Sequence, residues 1–179
     1  MTVISMGTFC WERNDMAGVF DANEDYQDFA SMSDYRLALD AVIKSAKKSL
    51  DVYDADLVDG EFDDLARNEL LRGFLVQDAS SRLRIILRDG LYLQQRATRM
   101  QKLMRDYSHR IDVRLLAEAR NMDAFIYNDA GVSLYRPQYD HVKSIFSRRD
   151  QQRHRLFMSR FAIMFNSAEC AISATTLGL

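Results

Sequence analysis

A chain of 179 residues with 47% hydrophobic and 28% charged residues has room for one buried core, which sets the expectation of a single soluble α/β or similar globular unit. No apolar run approaches the length of a membrane-spanning helix, and the opening MTVISMGTFCWERND lacks the basic lead and long apolar stretch of a signal peptide. The net charge of -2 hides a division: residues 1–80 carry 17 acidic and seven basic side chains, and residues 81–179 carry nine acidic and 17 basic. Such a division marks either an anion-binding face or two halves that attract each other. The pI near 5.9 favours the second, because a dedicated nucleic-acid binder is basic overall.

Residues 1–33 read as a partly ordered lead-in, with the acidic, aromatic-studded VFDANEDYQDF near its end. A helix follows, capped by Ser33 or Asp34, with Tyr35, Ala38, Val42 and Ala46 at helical spacing and Lys44, Lys47 and Lys48 in its last turns. SLDVYDADL (49–57) alternates like a strand, and Asp59-Gly60 ends it. FDDLARNELLRGFLVQ (62–77) reads as a helix with acidic residues in its first turn. RLRIILRD (82–89) has the apolar centre of a buried strand.

A third helix runs from about Leu91 to Ser108, with Leu93, Ala97, Met100, Met104 and Tyr107 as its apolar stripe. Methionines at that spacing are core residues rather than cofactor ligands. IDVRLL (111–116) is the next strand. NMDAFIYNDAGVSLYRP (121–137) reads as two strands around the turn Asn128-Asp129-Ala130-Gly131, with Phe125 and Tyr127 on one face and Ile126 on the other. After HVKSIF, a helix from about Asp150 to Cys170 presents Leu156, Phe157, Phe161, Met164, Phe165 and Ala168. Strands alternating with helices predict an α-β-α sandwich around a mixed, mainly parallel sheet, with the hairpin as its antiparallel portion. Residues 34–179 form that domain.

LALDAVIKSAKKSLDVYDADLVDGEFDDLARNELLRG resembles the opening of one half of a phospholipase D superfamily protein. There, a helix ending in an "I..AKKSI"-like run leads into a strand, and a second helix presents "RG" before another strand. Arg72-Gly73 and RLRIIL stand in comparable places. SRFAIMFNSAE resembles the helix that closes such domains, so the resemblance covers about residues 35–170. The chain is also similar to an uncharacterised bacterial domain of phospholipase D type, through Arg136-Pro137 after the hairpin and Leu177-Gly178-Leu179.

The resemblance implies that chemistry, where present, sits on the hairpin's first strand as HxKxxxxD. A histidine attacks the phosphodiester phosphorus, a lysine stabilises the phosphoryl oxygens, and a second histidine protonates the leaving group. Two motifs face each other, so a single-motif chain would act as a homodimer. Here one register places Asn121, Asp123 and Asn128 at the three positions, and a longer one places Asn121, Asp123 and Asp129. Neither supplies a nucleophile or a cation, and aspartate at the lysine position repels phosphate.

A literal HxK, His141-Val142-Lys143, follows the hairpin, with Asp150 seven residues after the lysine instead of five. Its ordinary reading is a surface triplet; its alternative is a catalytic pair. His109 and His154 are isolated. The acidic run from Asp51 to Asp64 does not match a calcium loop; solvated charge is the preferred account, and a weak Mg²⁺ site at Asp54 and Asp56 the alternative. Neither cofactor nor metal is expected, and no glycine-rich phosphate loop, GxSxG or HExxH occurs.

Arg82, Arg84, Arg136, Arg148, Arg149 and Arg153 are the anion-binding candidates, with Arg88 and Arg155 nearby; a solvated, internally paired face is their ordinary reading. Three functions follow. The first is a catalytically inactive binding or regulatory module in the bacterial cytoplasm. The second is a phosphodiesterase or nuclease working with His141 and Lys143 across a dimer interface. The third is a binder of nucleic acid or a phosphate ligand. The two cysteines, Cys10 and Cys170, form neither a CxxC nor a metal-spaced set and read as free thiols in a reducing compartment.

Overall fold

A computed structural model describes residues 20–116 and 122–170. The chain order is β1 (Tyr26–Phe29), α1 (Met32–Ser45), β2 (Ser49–Asp54), α2 (Leu65–Gln77), β3 (Arg82–Leu87), α3 (Leu91–Gln95), α4 (Thr98–Asp106), β4 (Ile111–Leu115), β5 (Ala124–Asn128), β6 (Val132–Arg136), β7 (Ser144–Arg148), α5 (Gln151–Ser167) and β8 (Glu169–Cys170). All eight strands join one sheet in the order β1-β7-β6-β5-β2-β3-β4-β8.

Helices flank this sheet on both faces, as the alternation of patterns implied, but the sheet is not mainly parallel. Only β2–β3 and β3–β4 run parallel. The other five pairings are antiparallel. The length of the connections explains the parallel pairs and the run β5–β6–β7. A parallel pairing needs a crossover of a dozen or more residues, which α2 and α3–α4 supply. The hairpin β5–β6 and the short link into β7 can only return antiparallel.

Local signals explain most boundaries. Ser31 caps α1 by accepting the Asp34 N–H at 3.1 Å, so the helix starts before the expected Ser33 and ends before Lys47 and Lys48. Asp64 caps α2 through the Ala66 and Arg67 N–H groups, which starts it at Leu65 instead of Phe62. The expected third helix divides at Arg96–Ala97 into α3 and α4. The last helix stops at Ser167, and residues 169–170 pair with β4 instead. The sheet also takes in Tyr26–Phe29, ahead of residue 34, as an edge strand on β7.

Strand alternation sorts two cores. Leu50 and Val52 of β2, Leu83 and Ile85 of β3 and Ile126 of β5 meet α1, α2 and α4 on one face. Tyr53, Ile86, Phe125 and Tyr127 meet Phe157, Phe161 and Phe165 of α5 on the other. Phe125 stacks on Phe157 with ring centroids 4.6 Å apart, and Phe161 on Phe165 at 5.5 Å. Leu156 of the expected α5 face is instead exposed.

The charge division appears as ion pairs between the halves: Asp51–Arg84, Asp59–Arg136, Asp63–Arg99 and Asp25–Arg149. No helix among the described residues is long and apolar enough to cross a membrane.

Candidate functional site

The carboxyl ends of β2 and β3 and the start of β5 lie at one end of the sheet, because β5 runs antiparallel to β2. Asp123 sits there, immediately before β5. Residues two apart on a strand share a face, and residues seven apart do not. The slot therefore puts Asp123 on the α5 side and Asn128 on the α1 side. Asn121 lies outside the described residues.

Asp123 is buried, at 6% exposure, and points toward α5. Arg160 of α5 meets it with both guanidinium arms, Nη1 donating to Oδ2 at 2.8 Å and Nη2 to Oδ1 at 3.1 Å. The same guanidinium lies 5.1 Å from the Phe125 ring centroid. The hydrogen bonds to Asp123 push the Arg160 pKa up, against the opposing effect of its own burial. An acid thus stands where the resemblance expects a lysine, and a cation from another element neutralises it.

The third position is occupied by two residues with backbone tasks. Asn128 is fully buried. Its Nδ2 donates to the Val42 carbonyl and to Ser45 Oγ, both at 2.8 Å, and its Oδ1 accepts from Ala130 N at 3.0 Å and Val132 N at 3.2 Å. It ties the end of α1 to the hairpin turn, which Gly131 completes with φ of 78°. Asp129 accepts the N–H groups of Lys47, Lys48 and Ser49. Partial burial pushes its pKa up, but these donors outweigh that and hold the carboxyl below its usual value.

His141 and Lys143 are both exposed, in the connection between β6 and β7. The backbone of His141 is structural: its carbonyl accepts from Arg136 Nε at 2.6 Å. Asp150 caps α5 by accepting the Arg153 N–H. The five residues of β7 separate it from Lys143 by about 16 Å of extended chain, so these three do not gather into one motif.

The candidate arginines part company. Arg84 grips buried Asp51 with two hydrogen bonds of 2.7 Å and lies 5.1 Å from the Phe161 ring centroid. Arg136 is buried and pairs with Asp59 Oδ2 at 2.7 Å. Arg82 bonds to the carbonyls of Ala79 and Ser81, and Arg153 pairs with Asp150. Arg148 and Arg149 line a cavity at the opposite end of the sheet from Asp123, where Lys44 and Lys47 join them. The sequence reading missed Arg160 as a partner of the slot. It also gave the two lysines only a helix-end role, since nothing local connects them to the end of β7.

Asp54 closes β2 near the slot, on the α1 side. Burial pushes its carboxyl up to about 6, against the lowering effect of the Ala55 N–H at 2.7 Å. With a folded pKa above the unfolded 3.8, the folded state holds this proton more tightly, so stability falls as pH rises from about 4 to about 6. Asp54→Asn keeps the acceptor and removes the titration. Its stability relative to the parent is expected to climb through that window by on the order of 1 kcal/mol per pH unit. Urea unfolding of both proteins at half-unit pH steps measures the difference, and parallel curves would show a solvated carboxyl. Among the described residues, no group of three or more metal-ligating side chains gathers here or elsewhere.

Residues 31–173 match the family described as a domain of unknown function, DUF7931. The chain belongs to this family. No curated protein is similar to it in sequence. In structure, the DUF7931 domain is similar to TrmBL2, an archaeal chromatin protein with a novel mode of DNA binding, with a TM-score of 0.63 and 12% identity over 83% of this chain and 55% of that one. It is similar to NucT from Helicobacter pylori, with a TM-score of 0.59 and 14% identity over 82% and 98%. It is similar also to phosphatidylserine synthase of Haemophilus influenzae Rd KW20, with a TM-score of 0.54 and 12% identity over 86% and 41%. The chain spans about half the length of the first and less than half of the third. At these identities the likeness shows the fold alone, which is phospholipase D-like.

Proposed function

We propose that this DUF7931 chain is a phospholipase D-like binding or regulatory domain without phosphodiesterase chemistry, working as a homodimer. One observation carries the reading: the lysine position holds a buried aspartate whose two oxygens are occupied by Arg160. A phosphate entering there would meet a carboxylate, and the cation that could receive it is already engaged. Asn128 and Asp129 support the same reading, because each is committed to main-chain groups. The likeness in fold to a chromatin protein with a novel mode of DNA binding is in keeping with a binding role.

The test is hydrolysis of bis(p-nitrophenyl) phosphate and of a fluorescent single-stranded oligonucleotide by the purified chain, with and without Mg²⁺. Turnover is expected to stay at the buffer level and to be unchanged in His141→Ala. Hydrolysis that disappears in His141→Ala would establish the enzyme reading instead. Light scattering on the same sample is expected to give twice the 20.7 kDa of one chain.

A further inference from the structure

The cavity at the far end of the sheet has a volume of about 590 Å³, the size of pocket that encloses a small organic ligand. Five stretches distant in sequence build it: Asn23 and Asp25 at its edge, the end of α1 with the link into β2, the end of α2, the β5–β6 turn and the end of β7. Lys44, Lys47, Arg148 and Arg149 bring four positive charges to it, and Asp25 brings one negative charge.

These cations are little engaged elsewhere. Neither Lys44 nor Lys47 forms an ion pair among the described residues. Arg149 meets Asp25 only at 3.5 Å, with its side chain 85% exposed. The Nε of Arg148 has no hydrogen-bond partner among the described residues. By contrast, Arg82, Arg84, Arg136 and Arg153 are each held by a carboxylate or a carbonyl.

The frame around the cations is rigid. Asp129 holds the N–H groups of Lys47, Lys48 and Ser49, and Gln77 Nε2 donates to the carbonyls of Ala46 at 2.8 Å and Lys47 at 3.0 Å. Arg148 N–H is fixed to the Asp25 carbonyl at 2.7 Å. Arg149 adopts φ of 61°, a left-handed conformation that is unfavourable for a non-glycine residue, and turns the chain out of β7 into α5. A preorganised frame lowers the ordering cost of binding.

We infer that this cavity binds a small ligand bearing two linked phosphates, a diphosphate ester, with Lys44, Lys47, Arg148 and Arg149 as its phosphate ligands. Four cations against one acid suit the two to three negative charges of a diphosphate better than a single phosphate. The apolar floor at Ala130 and Val132 suits the rest of such a molecule. The inference deepens the binding reading above by naming a site and a ligand class. The site lies away from the Asp123 slot, so hydrolysis assays and binding assays can fail independently.

The probe is inorganic pyrophosphate, titrated calorimetrically at constant ionic strength, with inorganic phosphate and a twelve-residue oligothymidylate as comparisons. Pyrophosphate is expected to bind at least tenfold more tightly than phosphate. Lys47→Ala, and Arg149→Gly, which also suits the left-handed backbone, are each expected to weaken it five- to tenfold. Asp25→Asn is expected to tighten it two- to fivefold. Circular dichroism of each variant checks that the fold is intact. Absence of pyrophosphate binding at millimolar concentration, or binding that ignores both substitutions, would overturn the inference. So would oligothymidylate binding that both substitutions abolish while pyrophosphate does not bind, since the groove would then follow a nucleic-acid backbone.

Discussion

Replacing Arg160 by alanine is expected to lower the unfolding free energy by about 3 kcal/mol, the lower part of the range for breaking a buried ion pair. The Asp123 side chain is only 9% exposed, whereas that of Arg160 is 27% exposed. Some water already reaches the pair from the α5 side, and this is why the upper part of the range does not apply. What remains after the substitution is a carboxylate with neither of its 2.8 and 3.1 Å donors, facing aromatic rings. Arg160→Lys keeps the charge and loses the two-armed geometry, and is expected to cost about 1–2 kcal/mol. The double substitution Asp123→Leu with Arg160→Met removes both charges and is expected to recover most of the loss. Guanidinium unfolding of the three variants measures these differences. If Arg160→Ala costs less than about 0.5 kcal/mol, the range of a screened surface pair, water screens the pair. The slot is then open to ligands, and the main support for the non-catalytic reading is gone. If the double variant is no better than Arg160→Ala, the contact of the guanidinium with the Phe125 ring, which methionine does not restore, is the interaction that was lost.

Much of this fold can be read from the sequence because the governing signals are local. The alternation in SLDVYD, the helical stripe of Tyr35, Ala38, Val42 and Ala46, and the Asn128-to-Gly131 turn each depend on residues within a few positions of one another. The direction of the strands is not local. Whether β5 joins β2 parallel or antiparallel depends on the connections, and the same apolar centre in RLRIIL suits either partner. β1 was hidden for a related reason. At an edge, YQDF has one neighbour, β7, and only Phe29 is buried, so the pattern shows no alternation of apolar residues. NMDAFIYND holds neither histidine nor lysine. It cannot show that Arg160, 37 residues after Asp123, completes the slot. Nor can it show that Lys44 and Lys47 meet Arg148, about a hundred residues away, because both unions are made by the sheet.

Asn128→Asp, which installs the residue that the HxKxxxxD pattern would place there, is expected to destabilise the protein by about 3 kcal/mol at neutral pH. The amide donates two hydrogen bonds, to the Val42 carbonyl and to Ser45 Oγ, and an ionised carboxylate has no proton to give. It would press a negative oxygen against the Val42 carbonyl at a position with no solvent exposure. Ser45 could turn its hydroxyl toward the new oxygen, but that hydroxyl now donates to Val42 at 3.0 Å, so one bond is exchanged for another. The remaining escape is protonation. The folded-state pKa of the introduced acid would lie above its unfolded value, the folded protein would bind an extra proton, and the deficit would shrink as pH falls toward 4 and grow as it rises toward 7. Asn128→Ala, which takes the side-chain acceptor from the Ala130 and Val132 N–H groups and leaves the Val42 carbonyl without its amide donor, should cost a similar amount with no such pH dependence. Urea unfolding of both variants between pH 4 and 8 separates the two behaviours. A neutral Asn128→Asp would mean that this position accepts the aspartate of the HxKxxxxD pattern without structural consequence. A pH-dependent loss would mean that the amide holds α1 to the hairpin turn, and that an aspartate cannot be installed there without cost.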